Sequence, residues 1–154
     1  MHTYTTSIHI AAPAERVFAF HTEPANLLRI TPEKVTVEIL RFDEAGEGAM
    51  VELRVRPLPL VSTRWLMRFD VFEPPADGKP GRLQDTQQRG PFRAWRQLRE
   101  FLPEGENACV LRDTVEYALP FGALGRLLDR LVVRREIRKM FAHRQATIKR
   151  LLEA

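Results

Sequence analysis

The stretch that decides the fold is ALGRLLDRLVVRREIRKMFAHRQATIKRLL, residues 123–152, at the C-terminal end of the chain. Apolar residues recur in it at spacings of three and four, namely Leu124, Leu127, Leu128, Leu131, Ile137, Phe141, Ile148 and Leu151. This period predicts a helix with one apolar face. About 30 residues at a rise of about 1.5 Å each would span about 45 Å, with a break or bend near Arg134 and Arg135. Such a helix needs a large apolar partner.

The sequence before this helix supplies that partner, because its apolar residues alternate as in half-buried strands. Strands are predicted over residues 3–10, 35–42, 49–57, 60–74, 82–89, 93–103 and 108–120. Two short helices are predicted after the first strand, one following Pro13 and one following Pro24. A flat sheet cannot shield so long a helix, whereas a curved sheet can grip it. The sequence therefore predicts an α+β fold, with a curved antiparallel sheet of six to seven strands around the C-terminal helix.

Composition is consistent with one domain over residues 1–154. The chain is 44% hydrophobic and carries a formal net charge of +4, which suits a packed core and argues against disorder. Cys109 is the single cysteine, so no internal disulfide forms, as expected of a cytoplasmic protein. No secretory signal and no stretch of about 18 apolar residues is present. The basic residues are mostly arginine, but a net charge of +4 on 154 residues is a weak case for a nucleic-acid partner, which would call for a concentrated basic face.

Several chemistries find no support in the residues. The four histidines and the cysteine lack the spacing of metal ligands, so no metal is predicted. The sequence contains no G-x-S-x-G, no phosphate-binding glycine run and no G-x-G-x-x-G, and no cofactor is predicted. The segment GALG, residues 122–125, is interpreted as a helix-entry turn.

Five segments resemble one known superfamily in the right order. They are IHIAAPAERVFAFH (8–21), PANLLRITP (24–32), DTQQRGPFRAWRQLREF (85–101), LRDTVEYALPFGALG (111–125) and MFAHR (140–144). The sequence is similar in these segments to the START and birch-pollen-allergen superfamily, also called SRPBCC, which includes polyketide cyclases and lipid-transfer domains. The later segments resemble a bacterial subgroup of cyclase-like or ligand-binding proteins. The resemblance implies a helix-grip fold that encloses a pocket for an apolar molecule such as a lipid, a quinone or a polyketide-like ring.

One departure from the family pattern bears on function. The subgroup has histidines at two alternating positions after its tryptophan, where this sequence has Gln97 and Arg99. Glutamine does not titrate and arginine stays protonated. A proton-transfer role at these two positions is therefore in doubt here.

A set of polar residues at alternating strand positions is the candidate site. Asp85, Gln87, Gln97, Arg99, Asp113 and Tyr117 share strand faces with apolar residues. If those faces turn inward, they form the polar end of a ligand pocket, or a hydrogen-bond network that holds the sheet in register. Buried charges must be paired, so Arg99 should pair with Asp113 or Asp85. Arg144 lies near the apolar stripe of the last helix, where it either reaches the pocket or snorkels to its edge.

Parity also predicts which residues face the interior. They are Trp65, Met67, Phe69, Val71, Leu111, Val115, Tyr117, Leu128, Leu131 and Phe141. With Trp95, the residues Trp65, Met67, Phe69 and Phe141 complete the predicted ligand-binding set. No catalytic residue is assigned.

Three functions remain open. The first is binding or transport of an apolar small molecule. The second is a cyclase or dehydratase reaction in the same pocket, with Asp85, Asp113 and Tyr117 as possible acids or bases. The third is peripheral membrane contact through the basic helix, which mixes leucines with arginines over residues 126–139. A core-packed helix with a solvated charged back is the simpler interpretation of that last pattern.

Overall fold

The structure, a computed structural model, describes residues 1–58 and 61–154. Its strands are β1 (His2–Ile10), β2 (Thr36–Phe42), β3 (Met50–Leu58), β4 (Val61–Glu73), β5 (Gly81–Arg89), β6 (Ala94–Pro103) and β7 (Cys109–Ala118). Its helices are α1 (Ala14–Phe20), α2 (Pro24–Arg29), α3 (Gly122–Leu128) and α4 (Arg134–Glu153), with a π-helical segment, Asp129–Val133, joining the last two. The predicted start of the fourth strand at Leu60 lies outside the described residues.

The seven strands form one antiparallel sheet in the order β1-β7-β6-β5-β4-β3-β2. Each of the strands from β2 to β7 pairs with its sequence neighbour, and β1 closes the far side by pairing with β7. Register shifts interrupt the β2–β3 and β4–β5 pairs, and such bulges bend a sheet. With α4 against the inner face and α1 and α2 after β1, the predicted α+β helix-grip fold is confirmed.

Alternation sets the two faces of the sheet. In β7, Cys109, Leu111, Asp113, Val115 and Tyr117 are buried, while the residues between them are more exposed. The α4 helix covers this inner face with a stripe at spacings of three and four, which includes Ile137, Phe141, Gln145, Ile148 and Leu152. The interior positions predicted for Met67, Phe69, Leu111, Val115, Tyr117 and Phe141 are confirmed, and Trp65 is half-buried.

Two of the predicted interior positions are wrong. Leu128 and Leu131 are exposed, Leu131 by 62% of its surface. The buried positions in this part of the helix are instead Gly125 and Asp129. Glycine is required at position 125, because a Cβ there would overlap the carbonyl oxygen of Pro120. The side of the helix that carries Gly125 and Asp129 therefore packs against the rest of the protein, and the leucines lie on the exposed side.

A bulge explains the behaviour of Val71. The β4–β5 register shifts between Phe69 and Val71, and a bulge reverses the alternation of side chains beyond it. Phe72 consequently packs against the core, with its ring 5.2 Å from that of Phe18, and both Val71 and Phe72 are half-buried.

Candidate functional site

A cavity of about 120 Å³ lies between the inner face of the sheet and the C-terminal helix. Its walls are mostly apolar: α2 contributes Leu27, β3 contributes Val51 and Leu53, and α4 contributes Phe141 and Ile148. The lining also includes Glu23, which is exposed and directly precedes α2, and the half-buried Asn26 of α2. A concave, mostly apolar space with a few polar groups is the usual form of a small-molecule site.

Ten of the twelve residues predicted to bind ligand line this cavity. They are Trp65, Met67, Phe69, Asp85, Trp95, Gln97, Arg99, Asp113, Phe141 and Arg144. Strand alternation brings the first eight to one face, and the helix presents the last two opposite them. Their role in binding a ligand remains a prediction.

The polar groups of the cavity begin with an ion pair. Arg99 Nη1 donates to Asp85 Oδ1 at 2.7 Å, and both side chains are largely buried. Asp85 lies opposite Gln97 in the β5–β6 register, so Arg99 reaches it from two positions along β6. The pair neutralises two charges that the apolar walls could not otherwise hold.

Asp113 is held by two amides instead of a cation. Gln97 Nε2 donates to its Oδ1 at 3.3 Å, and Gln145 Nε2 donates to its Oδ2 at 2.9 Å. Burial raises the pKa of Asp113 above its usual value, although Arg99 and the two amides act in the opposite direction. Gln145 also donates to the backbone oxygen of Thr6, so this network ties β1, β6 and β7 to α4.

Arg144 projects into the cavity without a carboxylate partner in the described part of the chain. Its Nε atom is buried and has no hydrogen-bond acceptor. Burial, together with the nearby Arg99, lowers the pKa of Arg144 from 12.5 to about 10. Trp65 Nε1 is a second buried polar atom of the lining that lacks a partner.

His21 lines the cavity as a neutral side chain. Its Nδ1 lies 2.8 Å from the carbonyl oxygen of Val17, which fixes the ring as an Nδ1–H donor. Burial and the nearby Arg99 lower the pKa of His21 to about 3. His21 and Gln145 were not predicted from the sequence. Each lies four residues after a buried apolar residue, Gln145 within α4 and His21 directly after α1.

Gln87 and Tyr117 lie outside the cavity lining. Gln87 exchanges two hydrogen bonds with the backbone of Phe92 and so braces the β5–β6 connection. Tyr117 donates to Asp129, which also accepts from Arg134 at 2.9 Å. Burial and the contact with Asp129 raise the pKa of Tyr117 to about 12. These two side chains stabilise the sheet end and the helix entry.

Metal and membrane features can be stated only for the described residues. Within residues 1–58 and 61–154, no group of three or more His, Cys, Asp or Glu side chains could hold a metal ion. None of the helices in these ranges combines the length and hydrophobicity needed to cross a membrane.

A curved sheet gripping a long helix over an apolar cavity defines the START-like class of proteins. Residues 1–153 match the family described as polyketide cyclase / dehydrase and lipid transport. The chain belongs to this family, and this membership supports hydrophobic ligand binding. No curated protein sequence matches it.

Solved structures show the same fold at low sequence identity. A START superfamily protein from Mycobacterium smegmatis aligns with a TM-score of 0.72 at 17% identity, covering 99% of this chain and 98% of that one. The Zhui aromatase/cyclase from Streptomyces sp. R1128 aligns with a TM-score of 0.64 at 17% identity, covering 97% and 95%. Norcoclaurine synthase from Thalictrum flavum aligns with a TM-score of 0.66 at 14% identity, covering 98% and 93%.

Proposed function

We propose that this protein binds a small, mainly apolar molecule in the cavity between the sheet and α4. The observation that carries the proposal is the cavity itself, which is lined by apolar side chains and closed on one side by a satisfied polar network. The ten lining residues named above are its proposed binding residues. A cytoplasmic location is part of the proposal, and the single buried thiol of Cys109 is compatible with it.

The volume limits the size of the ligand. An engineered apolar cavity of roughly 150 Å³ is known to accept benzene, and this cavity measures about 120 Å³. A single ring is therefore about the size that this cavity accepts. A long acyl chain or a fused polyketide would require α2 or the helix to move outward.

Tryptophan emission provides a direct test. The chain has two tryptophans, and both line the cavity. Titration with toluene should therefore change the emission in a saturable way. In a Val51→Phe variant, which places a ring inside the cavity, the change should be lost. Val110→Phe, on the outer face of β7, is the matched control and should respond like the parent protein. A non-saturable response in the parent protein would count against a binding cavity.

An enzymatic role is the second candidate, and the raised pKa of Asp113 favours it. A buried carboxyl with a raised pKa at the wall of a cavity is suited to general acid catalysis. Asp85 is held by Arg99, and Tyr117 lies outside the cavity, so Asp113 is the strongest of the three acids considered. Turnover that Asp113→Asn destroys while ligand binding survives would establish a cyclase or dehydratase activity.

Peripheral membrane contact is a third candidate, supported by exposed apolar side chains beside arginines. The leucine surface comprises Phe121, Leu124, Leu127, Leu131 and Val132, all at least half exposed. Four arginines adjoin it in sequence, at positions 126, 130, 134 and 135. Apolar side chains flanked by cations suit an anionic lipid surface.

Sedimentation with vesicles tests this contact. The protein should sediment with phosphatidylglycerol vesicles and not with phosphatidylcholine vesicles. Leu127→Glu should weaken binding, whereas Leu28→Glu, at an exposed leucine on α2, should not. Failure to sediment with either type of vesicle would remove this candidate.

A further inference from the structure

Two buried carboxyl groups and two guanidinium groups line the cavity, but only one direct ion pair forms among them in the described part of the chain. Asp85 is occupied by Arg99, and Asp113 accepts from two neutral amides. Arg144 lies within 4.0 Å of no carboxylate oxygen in the described part of the chain. The half-buried Arg144 therefore has no direct ion-pair partner there, although Asp113 and Asp85 lie near enough to favour its charged form. A largely buried charge is stabilised when a direct partner is supplied.

The unpartnered atoms of the lining are all of one kind. Arg144 Nε and Trp65 Nε1 are the buried side-chain polar atoms that lack partners among the described residues. Guanidinium and indole nitrogens only donate hydrogen bonds and never accept them. The guanidinium of Arg144, which lines the cavity, likewise carries only donors, so a ligand that pairs with it brings acceptors.

Both properties are satisfied by one chemical group. A carboxylate supplies acceptor atoms and a negative charge, and its geometry matches the planar guanidinium. The remaining apolar walls and the volume of about 120 Å³ leave room for one ring rather than a long chain. Trp65, Trp95 and Phe141 supply aromatic surface for such a ring.

We propose that the natural ligand is a small aromatic carboxylate whose carboxylate group pairs with Arg144 and whose ring lies among the apolar walls. This proposal rests on the binding function proposed above and names the ligand class of the same cavity. His21 is compatible with it, because the neutral imidazole places no competing charge in the cavity.

Two probes of nearly equal shape test the charge requirement. Benzoate and benzamide carry the same ring, but only benzoate is anionic at pH 7. Titrated against the tryptophan emission of the full chain, benzoate should bind about tenfold more tightly or better, as expected of charge-assisted hydrogen bonds. The difference should shrink as salt concentration rises, because screening weakens the ion pair.

Variants assign the effect to one side chain. Arg144→Gln removes the charge, so it should abolish the preference for benzoate over benzamide. Arg150→Gln, at an exposed arginine of the same helix, should retain the preference. A preference that survives Arg144→Gln would overturn the assignment.

The outcomes separate this proposal from the one on which it rests. Equal or tighter binding of benzamide by the parent protein would overturn the carboxylate proposal and leave the binding function intact. Loss of saturable responses to benzoate, benzamide and toluene alike would count against both. Comparing benzoate with benzamide on the parent protein needs no variant, so the test does not depend on the folding of any substitution.

Discussion

Arg99 lies directly opposite Asp113 in the register of β6 and β7, but its guanidinium donates to Asp85 on β5. The neighbour across the strand is therefore not the ion-pair partner. Asp113 is already satisfied by amides from Gln97 and Gln145, which leaves Asp85 as the carboxylate that needs a cation. Both alternatives considered from sequence lie near Arg99, and the structure selects Asp85.

Replacing one member of the Arg99–Asp85 pair should destabilise the protein strongly, whereas replacing both members should destabilise it much less. Arg99→Met or Asp85→Asn alone leaves a buried charge without its partner, and each should lower the free energy of unfolding by about 3–5 kcal/mol. The double variant should cost much less than the sum of the two. Denaturant unfolding of the four proteins provides the measurement.

An ion pair on the outer face of the sheet is the control for these double-variant measurements. Arg96 and Glu116 form an ion pair whose side chains are 51% and 33% exposed. Arg96→Met should cost only about 0–1 kcal/mol. Equal costs for Arg96→Met and Arg99→Met would contradict the idea that burial makes the inner pair matter.

Asp113 should make the protein less stable as pH rises above the ordinary carboxyl range. Because its pKa is raised in the folded state, the folded chain binds more protons than the unfolded chain above about pH 4. The free energy of unfolding then decreases with pH through the raised pKa. Asp113→Asn should remove this decrease, as seen in denaturant melts between pH 4 and 7.

The matched control is Glu116→Gln, on the outer face of the same strand. It should leave the pH dependence of the parent protein in place. If Asp113→Asn shows the same slope as the parent protein, the buried carboxyl does not titrate differently in the two states.

His21, in contrast to Asp113, should make the protein less stable as pH falls. Its pKa is lowered from 6.5 to about 3 in the folded protein, so between these values the unfolded chain binds more protons. Stability from this group is complete above about pH 6.5 and is lost as pH falls toward 3. His21→Gln, which keeps a donor for the Val17 carbonyl, should lose less stability on acidification from pH 7 to 4.

A histidine on the surface of the last helix supplies the comparison. His143 is exposed, and His143→Gln should preserve the acid sensitivity of the parent protein. If His21→Gln loses as much stability on acidification as the parent protein, the ring does not remain neutral in the folded state.

The periodicity of the sequence predicted the strands and the faces that turn inward, because these depend on local patterns. It did not predict features that depend on long-range contacts, such as the extent of the cavity. The strands and the inward faces of β5, β6 and β7 follow from alternation, which brought Asp85, Gln97, Arg99 and Asp113 to the cavity. Tyr117 has the same parity but lies beyond the cavity, because position along a strand also matters. Alternation contains no information on how far the cavity extends.

The early part of the C-terminal helix shows the other limit of periodicity. A stripe of leucines predicts an apolar face but not which neighbour covers it. Here the close approach of Gly125 to Pro120 and the contact between Asp129 and Tyr117 fix the opposite side of the helix inward. The π-helical segment then changes the rotation before α4 begins, so the two halves of the helix present different faces.

The exposed and buried parts of this helix should therefore respond differently to the same kind of truncation. Ile148 is 2% exposed in α4, and Ile148→Ala should cost about 2–5 kcal/mol because it leaves a cavity. Leu131, which is 62% exposed, loses little buried surface on truncation, and alanine is an excellent helix former. Leu131→Ala should therefore change the free energy of unfolding by less than about 0.5 kcal/mol. Chemical denaturation of both variants compares side chains of equal size in one continuous helical stretch.

A cost for Leu131→Ala as large as that for Ile148→Ala would mean that the leucine surface is buried in solution, either against the sheet or against another molecule. Dependence of that cost on protein concentration would then identify a second copy as the cover.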